Sequence, residues 1–300
     1  MTGDTVRILE QLNMDGIAVL PGFVQGETLS AMQRSFEARL RRLKWNDFDG
    51  YERTERFRLM VQDVLTLDRG FVTTALDPVV KQVLRDYLGD RYRLVEAKGW
   101  RSLPTRRPFH GWHGDAWYDK SKVSGIPREI KLGLYLTDVA TGNFRYLRGS
   151  HRQYEPREWR HHEIAAVPSF GMAEVIGDAG TAFLFDTSGI HGQAWPILKP
   201  RHAVFYNYHD PGVPLQPEDL DYYRYHPLLL NAALLGNLTA EDQSILGFGD
   251  MTNYVPAFER NARHEGFQIA NNRLFATMLV VEEFTSRVAT RLRRMMRGKR

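Results

Sequence analysis

The sequence predicts a mainly β core with flanking helices, and three observations carry that prediction. Between about Tyr92 and Asp210 the apolar runs are short ("RLVEA", "IKLGLYLTD", "TAFLFDTS", "HAVFYNYH") and are separated by Gly, Pro, Asp and Asn. That is the texture of a β-sandwich or barrel. On either side, apolar residues recur at helical spacing. Hydrophobic content of 43% with 12% aromatics and 25% charge suits a large packed core. No repeat, low-complexity block or linker interrupts the 300 residues, so they read as a single domain. Residues 1–91 form its N-terminal strand and helices, 92–213 its β core, and 214–300 a helical C-terminal region.

Each element has a local reason. "GIAVLPGF", Gly16 to Phe23, is an apolar run closed by Pro-Gly and reads as a strand. From Glu27 to Leu43, the residues Leu29, Met32, Phe36, Leu40 and Leu43 fall on one helical face with charge opposite. Another helix is expected near Pro78 to Leu88. Beyond Pro214, "LNAALLGNL" and "RLFATMLVVEEF" read as helices.

Composition excludes several classes. The absence of cysteine removes disulfides, iron–sulfur clusters, thiolate zinc sites and cysteine nucleophiles, so any metal is held by nitrogen and oxygen. The N-terminus has early acidic residues and no long apolar run, which argues against a secretory signal. No stretch approaches the roughly 20 apolar residues of a membrane-spanning helix. A cytoplasmic protein is expected. The net charge of +4 is uneven: Arg287 to Arg300 holds seven basic residues and no acid, leaving 33 basic against 36 acidic side chains elsewhere. With no zinc-finger, helix-turn-helix or RNA-binding signature, nucleic acid is not an expected partner.

"FHGWHGDAW", Phe109 to Trp117, is the chemically suggestive stretch. In an extended strand alternate residues share a face, so His113 and Asp115 leave one side together, with Gly114 offering no obstruction. Two histidines and a carboxylate on one face of the metal characterise non-haem Fe(II) oxygenases. Alone, His-x-Asp is equally served by a hydrogen-bonded strand-end histidine. Downstream, His191 follows a strand end between Gly189 and Gly192, glycines that let the backbone pass close to an ion. Ten residues later Arg201 opens an apolar, aromatic strand. A guanidinium there is costly without a carboxylate, which its planar fork grips with two hydrogen bonds.

This ordered set resembles the Fe(II)/2-oxoglutarate-dependent dioxygenases, and most of all the phytanoyl-CoA dioxygenase (PhyH) family. "DGIAVLPGFVQGETLSAM" is similar to the family's opening strand and helix. "TGNFRYLRGSHR" is similar to its turn leading to Gly-Ser-His, and "GDAGTAFLFD" to its Gly-Asp strand. The likeness runs from about Leu12 to Tyr208. It implies a double-stranded β-helix (jelly-roll, cupin-like) core. His113, Asp115 and His191 would be catalytic iron ligands, and Arg201 would bind the distal carboxylate of 2-oxoglutarate. Fe(II), 2-oxoglutarate and O2 would be the cofactor and cosubstrates. Arg148 stands where the family commonly has proline before Gly-Ser-His. An aspartate at 115, where related halogenases carry a small residue, argues for hydroxylation, desaturation or ring formation.

Trp112, Trp117, Tyr118, Lys98 and His110 are the residues expected around a substrate. Arg101, Arg106 and Arg107 serve equally as surface charge or as anion recognition. His151 is expected to fix a loop, and His161 and His162 to lie in a solvated pair. In the tail, Val281, Phe284, Val288, Leu292, Met295 and Met296 recur at helical spacing among arginines. Such a basic amphipathic helix either lies on an anionic membrane or docks on the body. The substrate expected is a small molecule, a specialised metabolite or a lipid or glycolipid, such as a Kdo-containing lipopolysaccharide precursor. Two other classes share the scaffold: a zinc- or manganese-dependent cupin-type hydrolase or isomerase, and a non-catalytic metal-binding jelly roll.

Overall fold

The computed structural model describes residues 3–41, 57–107, 111–115, 128–153, 160–168, 171–210, 228–235 and 238–248, and residues 281, 284, 285 and 288. Two compact units divide the chain, Met1–Gly247 and Phe248–Arg300. In the first, helix α1 (Gly3–Asp15) leads into β1 (Ile17–Leu20), α2 (Gly26–Leu40), β2 (Arg58–Val61), α3 (Arg69–Ala75) and α4 (Pro78–Leu88). The strands β3 (Arg93–Ser102), β4 (Ile130–Tyr135) and β5 (Val139–Leu147) follow, then α5 (His161–Ala165). β6 (Met172–Gly177), β7 (Ala182–Asp186), β8 (His191–Gln193) and β9 (Arg201–His209) complete the described strands, ahead of α6 (Ala232–Leu235) and α7 (Ala240–Ile245).

The strands form two antiparallel sheets, one of order β1-β7-β4-β9-β3-β2 and one of order β6-β5-β8. Alternation sorts the side chains. In β9, Arg201, Ala203, Phe205, Asn207 and His209 share one face, and His202, Val204, Tyr206 and Tyr208 the other. The inward face packs into a core of Ile17, Phe144, Tyr146, Val175, Phe183, Phe185 and Ala203, drawn from both sheets. Helices cover the outer face of the large sheet. Phe36 of α2 sits so close to Gly99 of β3 that a Cβ there would come within 2.2 Å of its ring. Tyr208 of β9 donates its hydroxyl hydrogen to the Ala75 carbonyl of α3 at 2.7 Å. Burial on both faces explains why β7 and β9 read as almost continuous apolar runs.

Two facing antiparallel sheets with helices outside make the jelly-roll, helix-flanked fold. The helix expected near Pro78 to Leu88 is α4, capped by Asp77, whose carboxylate accepts from the Val79 and Val80 N–H groups. β1 and β2 lie ahead of residue 92 and occupy the two edges of the large sheet, so the β core begins within the N-terminal segment. Arg148 has a definite place: its guanidinium pairs with Asp15, and the N–H of Gly149 donates to the Asp15 carbonyl at 2.9 Å. The turn that has lost the family's proline is thereby tied to the end of α1. In the second unit, Val281, Phe284, Thr285 and Val288 are helical. No described helix is long and apolar enough to cross a membrane.

Candidate metal centre

His113 and His191 meet through the backbone. They form an isolated antiparallel bridge, exchanging N–H···O bonds of 3.0 and 2.8 Å. Asp115 extends the contact by donating its N–H to the Thr187 carbonyl at 2.7 Å. Gly114 is needed for this approach, because a Cβ there would lie 2.6 Å from the Ser188 carbonyl oxygen. In an antiparallel bridge directly opposed residues project to one side, so pairing His113 with His191 sets their rings together. The ring centroids are 4.7 Å apart.

The rings are oriented alike. Nδ1 of His113 bonds the Gly111 carbonyl, and Nδ1 of His191 the Gly189 carbonyl, each at 2.9 Å and two residues back. With Nδ1 carrying the proton, Nε2 is the lone-pair nitrogen in both. Donor atoms of His113, Asp115 and His191 all lie within 4.8 Å of one another. Two imidazole nitrogens and a carboxylate oxygen suit a divalent first-row metal, and this is the donor set associated with non-haem iron(II). The residues present therefore fit an iron ion.

Electrostatics agree with that role. Burial pushes His191 down to about 3, so its ring is neutral. Burial also opposes protonation of His113, but hydrogen bonding and attraction to Asp115 outweigh it and raise His113. Burial alone would push the Asp115 carboxyl up. The Lys131 ammonium, Nζ 2.5 Å from Oδ2, and the neighbouring histidines hold it well below the usual carboxylate range. Lys131 enters the interior from β4, where it is register partner to both Asn207 and Phe185. An aromatic shell excludes water around His191: Phe144, Phe185 and Tyr146 have centroids 5.6, 5.0 and 6.4 Å from its ring.

Arg201 opens β9 on the inward face and is only 4% exposed. Its Nη1 donates to the Gly142 carbonyl at 2.5 Å and its Nη2 to Ser102 Oγ at 3.4 Å, while buried Nε has no partner. Among the described residues no carboxylate accepts from it. Tyr135 lies under the guanidinium, 5.8 Å from ring centroid to Cζ.

The other expected residues divide. Lys98 is buried on the inward face of β3 and pairs with Glu96. Burial lowers its pKa against that attraction. Trp112 is turned away from the triad: alternation puts it opposite His113, in an apolar cluster with Ile164 and Ile190. His110, Trp117 and Tyr118 lie outside the described residues. The glycines around His191 make room for side chains: a Cβ on Gly189 would strike the Tyr146 hydroxyl at 1.9 Å, and one on Gly192 the Trp112 ring at 3.0 Å. His151 does fix a loop, with Nε2 3.3 Å from the Asn13 carbonyl. α5 begins at His161.

Sequence reasoning missed Lys131, Glu96 and a buried Glu129–His209 pair, 2.8 Å apart. The available signal was parity: Lys131, Gly133 and Tyr135 alternate in "IKLGLY", putting the lysine inside the barrel.

A sequence profile of the phytanoyl-CoA dioxygenase (PhyH) family matches residues 12–194, more than half of the chain. The ectoine dioxygenase of Nocardia farcinica (strain IFM 10152) is 30% identical over 31% of this chain and 40% of its own length. The match thus spans about two fifths of that curated relative. The solved structure of HygX from Streptomyces hygroscopicus, with nickel, 2-oxoglutarate and hygromycin B bound, is 20% identical with a TM-score of 0.52, covering 72% of this chain and 90% of that one. SnoN, an epimerase from nogalamycin biosynthesis, is 15% identical with a TM-score of 0.55 over 74% and 87%. EctD from S. alaskensis, with 2-oxoglutarate and 5-hydroxyectoine, is 21% identical with a TM-score of 0.53 over 70% and 77%. These structural likenesses concern the fold. A profile match over more than half its length, on the same jelly roll, means that the chain belongs to the phytanoyl-CoA dioxygenase family, whose members are iron(II)- and 2-oxoglutarate-dependent oxygenases.

Proposed function

We propose that this protein oxidises an aliphatic C–H bond of a small, non-protein molecule, most simply by hydroxylation, with the catalytic centre inside Met1–Gly247. His113, Asp115 and His191 would hold iron(II), and Arg201 would take the distal carboxylate of 2-oxoglutarate. When bound, the metal and its cosubstrate supply the oxidising power: substrate R–H, O2 and 2-oxoglutarate give R–OH, succinate and CO2. The chain's own part is placement. Glycine carbonyls orient both imidazoles, the rings of Phe144, Phe185 and Tyr146 keep water out, and Arg201 fixes one end of the dicarboxylate.

The observation that carries the reading is the pairing of triad and arginine on one interior. Tyr146, which faces His191, and Gly142, whose carbonyl meets Arg201, are four residues apart on β5. Both therefore meet the same strand of the small sheet, the arrangement a dicarboxylate needs to lie between a metal at the triad and the guanidinium. The Arg201 assignment rests on this geometry, since the family match ends at residue 194. The relatives with hygromycin B and 5-hydroxyectoine bound support a small polar substrate.

Titrating 2-oxoglutarate into the anaerobic Fe(II)-loaded protein tests the proposal. A visible charge-transfer band that weakens in Arg201→Ala is the expected result. Stoichiometric iron without a band would sink the cosubstrate assignment and bring forward the alternative of a zinc- or manganese-dependent hydrolase or isomerase.

A second reading places the protein at an anionic membrane surface. Val281, Phe284 and Val288 are 56%, 67% and 41% exposed on a helix, and the seven basic residues from Arg287 onward supply attraction of about 1 kcal/mol each near such a surface. Salt-sensitive co-sedimentation with phosphatidylglycerol vesicles, lost in Phe284→Asp, would support it and bring glycolipids into the substrate screen. Equal recovery with neutral vesicles would end it.

A further inference from the structure

Asp115 has two carboxylate oxygens, and a free carboxylate binds a divalent ion through one or both. Here the two are in different surroundings. Oδ1 is 3.4 Å from His113 Nε2, and Oδ2 is 3.9 Å from His191 Nε2. Oδ2 is 2.5 Å from Lys131 Nζ. Both side chains are shielded, Asp115 11% and Lys131 15% exposed, so water competes weakly for either. The Asp115 main chain is pinned as well, through its N–H to the Thr187 carbonyl. What remains free is rotation about the bond to the carboxyl carbon, and the lysine stops it.

We infer that Lys131 is a positioning residue for the metal centre, gripping Asp115 by Oδ2 and so fixing the carboxylate against the two imidazoles. The inference rests on the reading of His113, Asp115 and His191 as the ligand set. A lysine near a divalent cation is electrostatically unfavourable by itself. Asp115 and Glu96 are the neighbouring carboxylates that offset it, with Glu129 contributing further. Lysine suits the task because its ammonium is a compact charge on a flexible stem, able to reach the buried carboxylate from β4.

Co(II) binding to the full-length protein, without cosubstrate, tests this. Loss of partners that orient a metal ligand typically costs about ten- to hundredfold in affinity. Lys131→Met should therefore bind Co(II) about ten- to hundredfold more weakly and shift its ligand-field bands, while Lys131→Arg should recover most of the affinity. Circular dichroism establishes that each variant is folded; if Lys131→Met is not, Lys131→Gln replaces it. A folded Met or Gln variant with wild-type or tighter affinity and unchanged bands overturns the inference. His191→Ala separates the two levels. If it abolishes Co(II) binding while Lys131→Met does not alter it, the ligand set survives and the lysine's role does not. Co(II) binding that ignores His191→Ala removes both.

Discussion

The ring of Tyr146 lies nearly parallel to that of His191, with 10° between their planes, and the two residues are register partners between β5 and β8. The phenol hydroxyl goes on to donate to the Asp186 carbonyl at 2.9 Å, so one side chain links the histidine to the turn before it. That turn leaves no room at Gly189, where a Cβ would lie 1.9 Å from the hydroxyl. Gly189→Ala should therefore displace either Tyr146 or the turn. Overpacking of this kind costs about 1–3 kcal/mol, read by denaturant unfolding. Metal affinity should fall with it, since His191 orients its ring on the Gly189 carbonyl. Unchanged stability and affinity would show that the turn yields freely.

The two histidines should differ in their protons. His191 is neutral down to about 3, whereas His113 is raised above the ordinary 6.5. Near pH 6.5 the metal-free protein thus carries a proton on His113 that must leave as a metal binds. Calorimetric titrations in buffers of different ionisation enthalpy should report net proton release on metal binding. Below the His113 pKa, affinity should fall about tenfold per pH unit. A fall of a hundredfold per unit between pH 4 and 6 would mean that both rings titrate together.

Asp186 carries a different pH dependence, one of stability. Burial pushes its carboxyl up to about 7 from an ordinary 3.8, despite hydrogen bonds from Tyr87 Oη and the Ser188 N–H. The folded state thus holds this proton more tightly than the unfolded chain does. Its contribution is fully present below about pH 3.8 and is lost as pH rises through 7. Asp186→Asn cannot titrate. The stability of wild type relative to this variant should decline between pH 4 and 7, by up to about 1.4 kcal/mol per unit. Urea unfolding at several pH values checks this, and a constant difference would contradict it.

Arg201→Lys separates charge from shape. The lysine keeps a positive charge but loses the planar fork that makes two parallel bonds to a carboxylate. Losing one charge-assisted bond of about 1.5–3 kcal/mol should weaken 2-oxoglutarate binding by about one to two orders of magnitude. Isothermal titration of the metal-loaded variant reads this directly. Wild-type affinity would show that Arg201 serves only Gly142 and Ser102.

Much of this arrangement was legible in local sequence. The Pro78 to Leu88 helix, the "TAFLFD" strand and the His-x-Asp spacing each depend on neighbours within a few residues. Arg201 was legible from cost alone, a guanidinium in an apolar strand. What escaped was long-range. That Lys131 meets Asp115 depends on β4 pairing with β9 and β7 while residues 111–115 pair across to the β8 region. No local pattern encodes that register. Trp112 joins the apolar cluster of Ile164 and Ile190 because alternation sends it to the face opposite His113. The helix α1 was overlooked although Ile8 and Leu12 are one turn apart and buried.

Because His113 and His191 are joined by main-chain hydrogen bonds, the donor set does not exist before the barrel closes at that point. Partners so distant in sequence pay their loop-closure entropy late, when most of the native surface is already buried. A partly folded chain that lacks this bridge has His113 and Asp115 side by side but not His191, so the three-donor set forms only with the tertiary fold. Kinetically, the appearance of full metal affinity in a refolding experiment would then mark this long-range closure, later than the signals from α2 or α4.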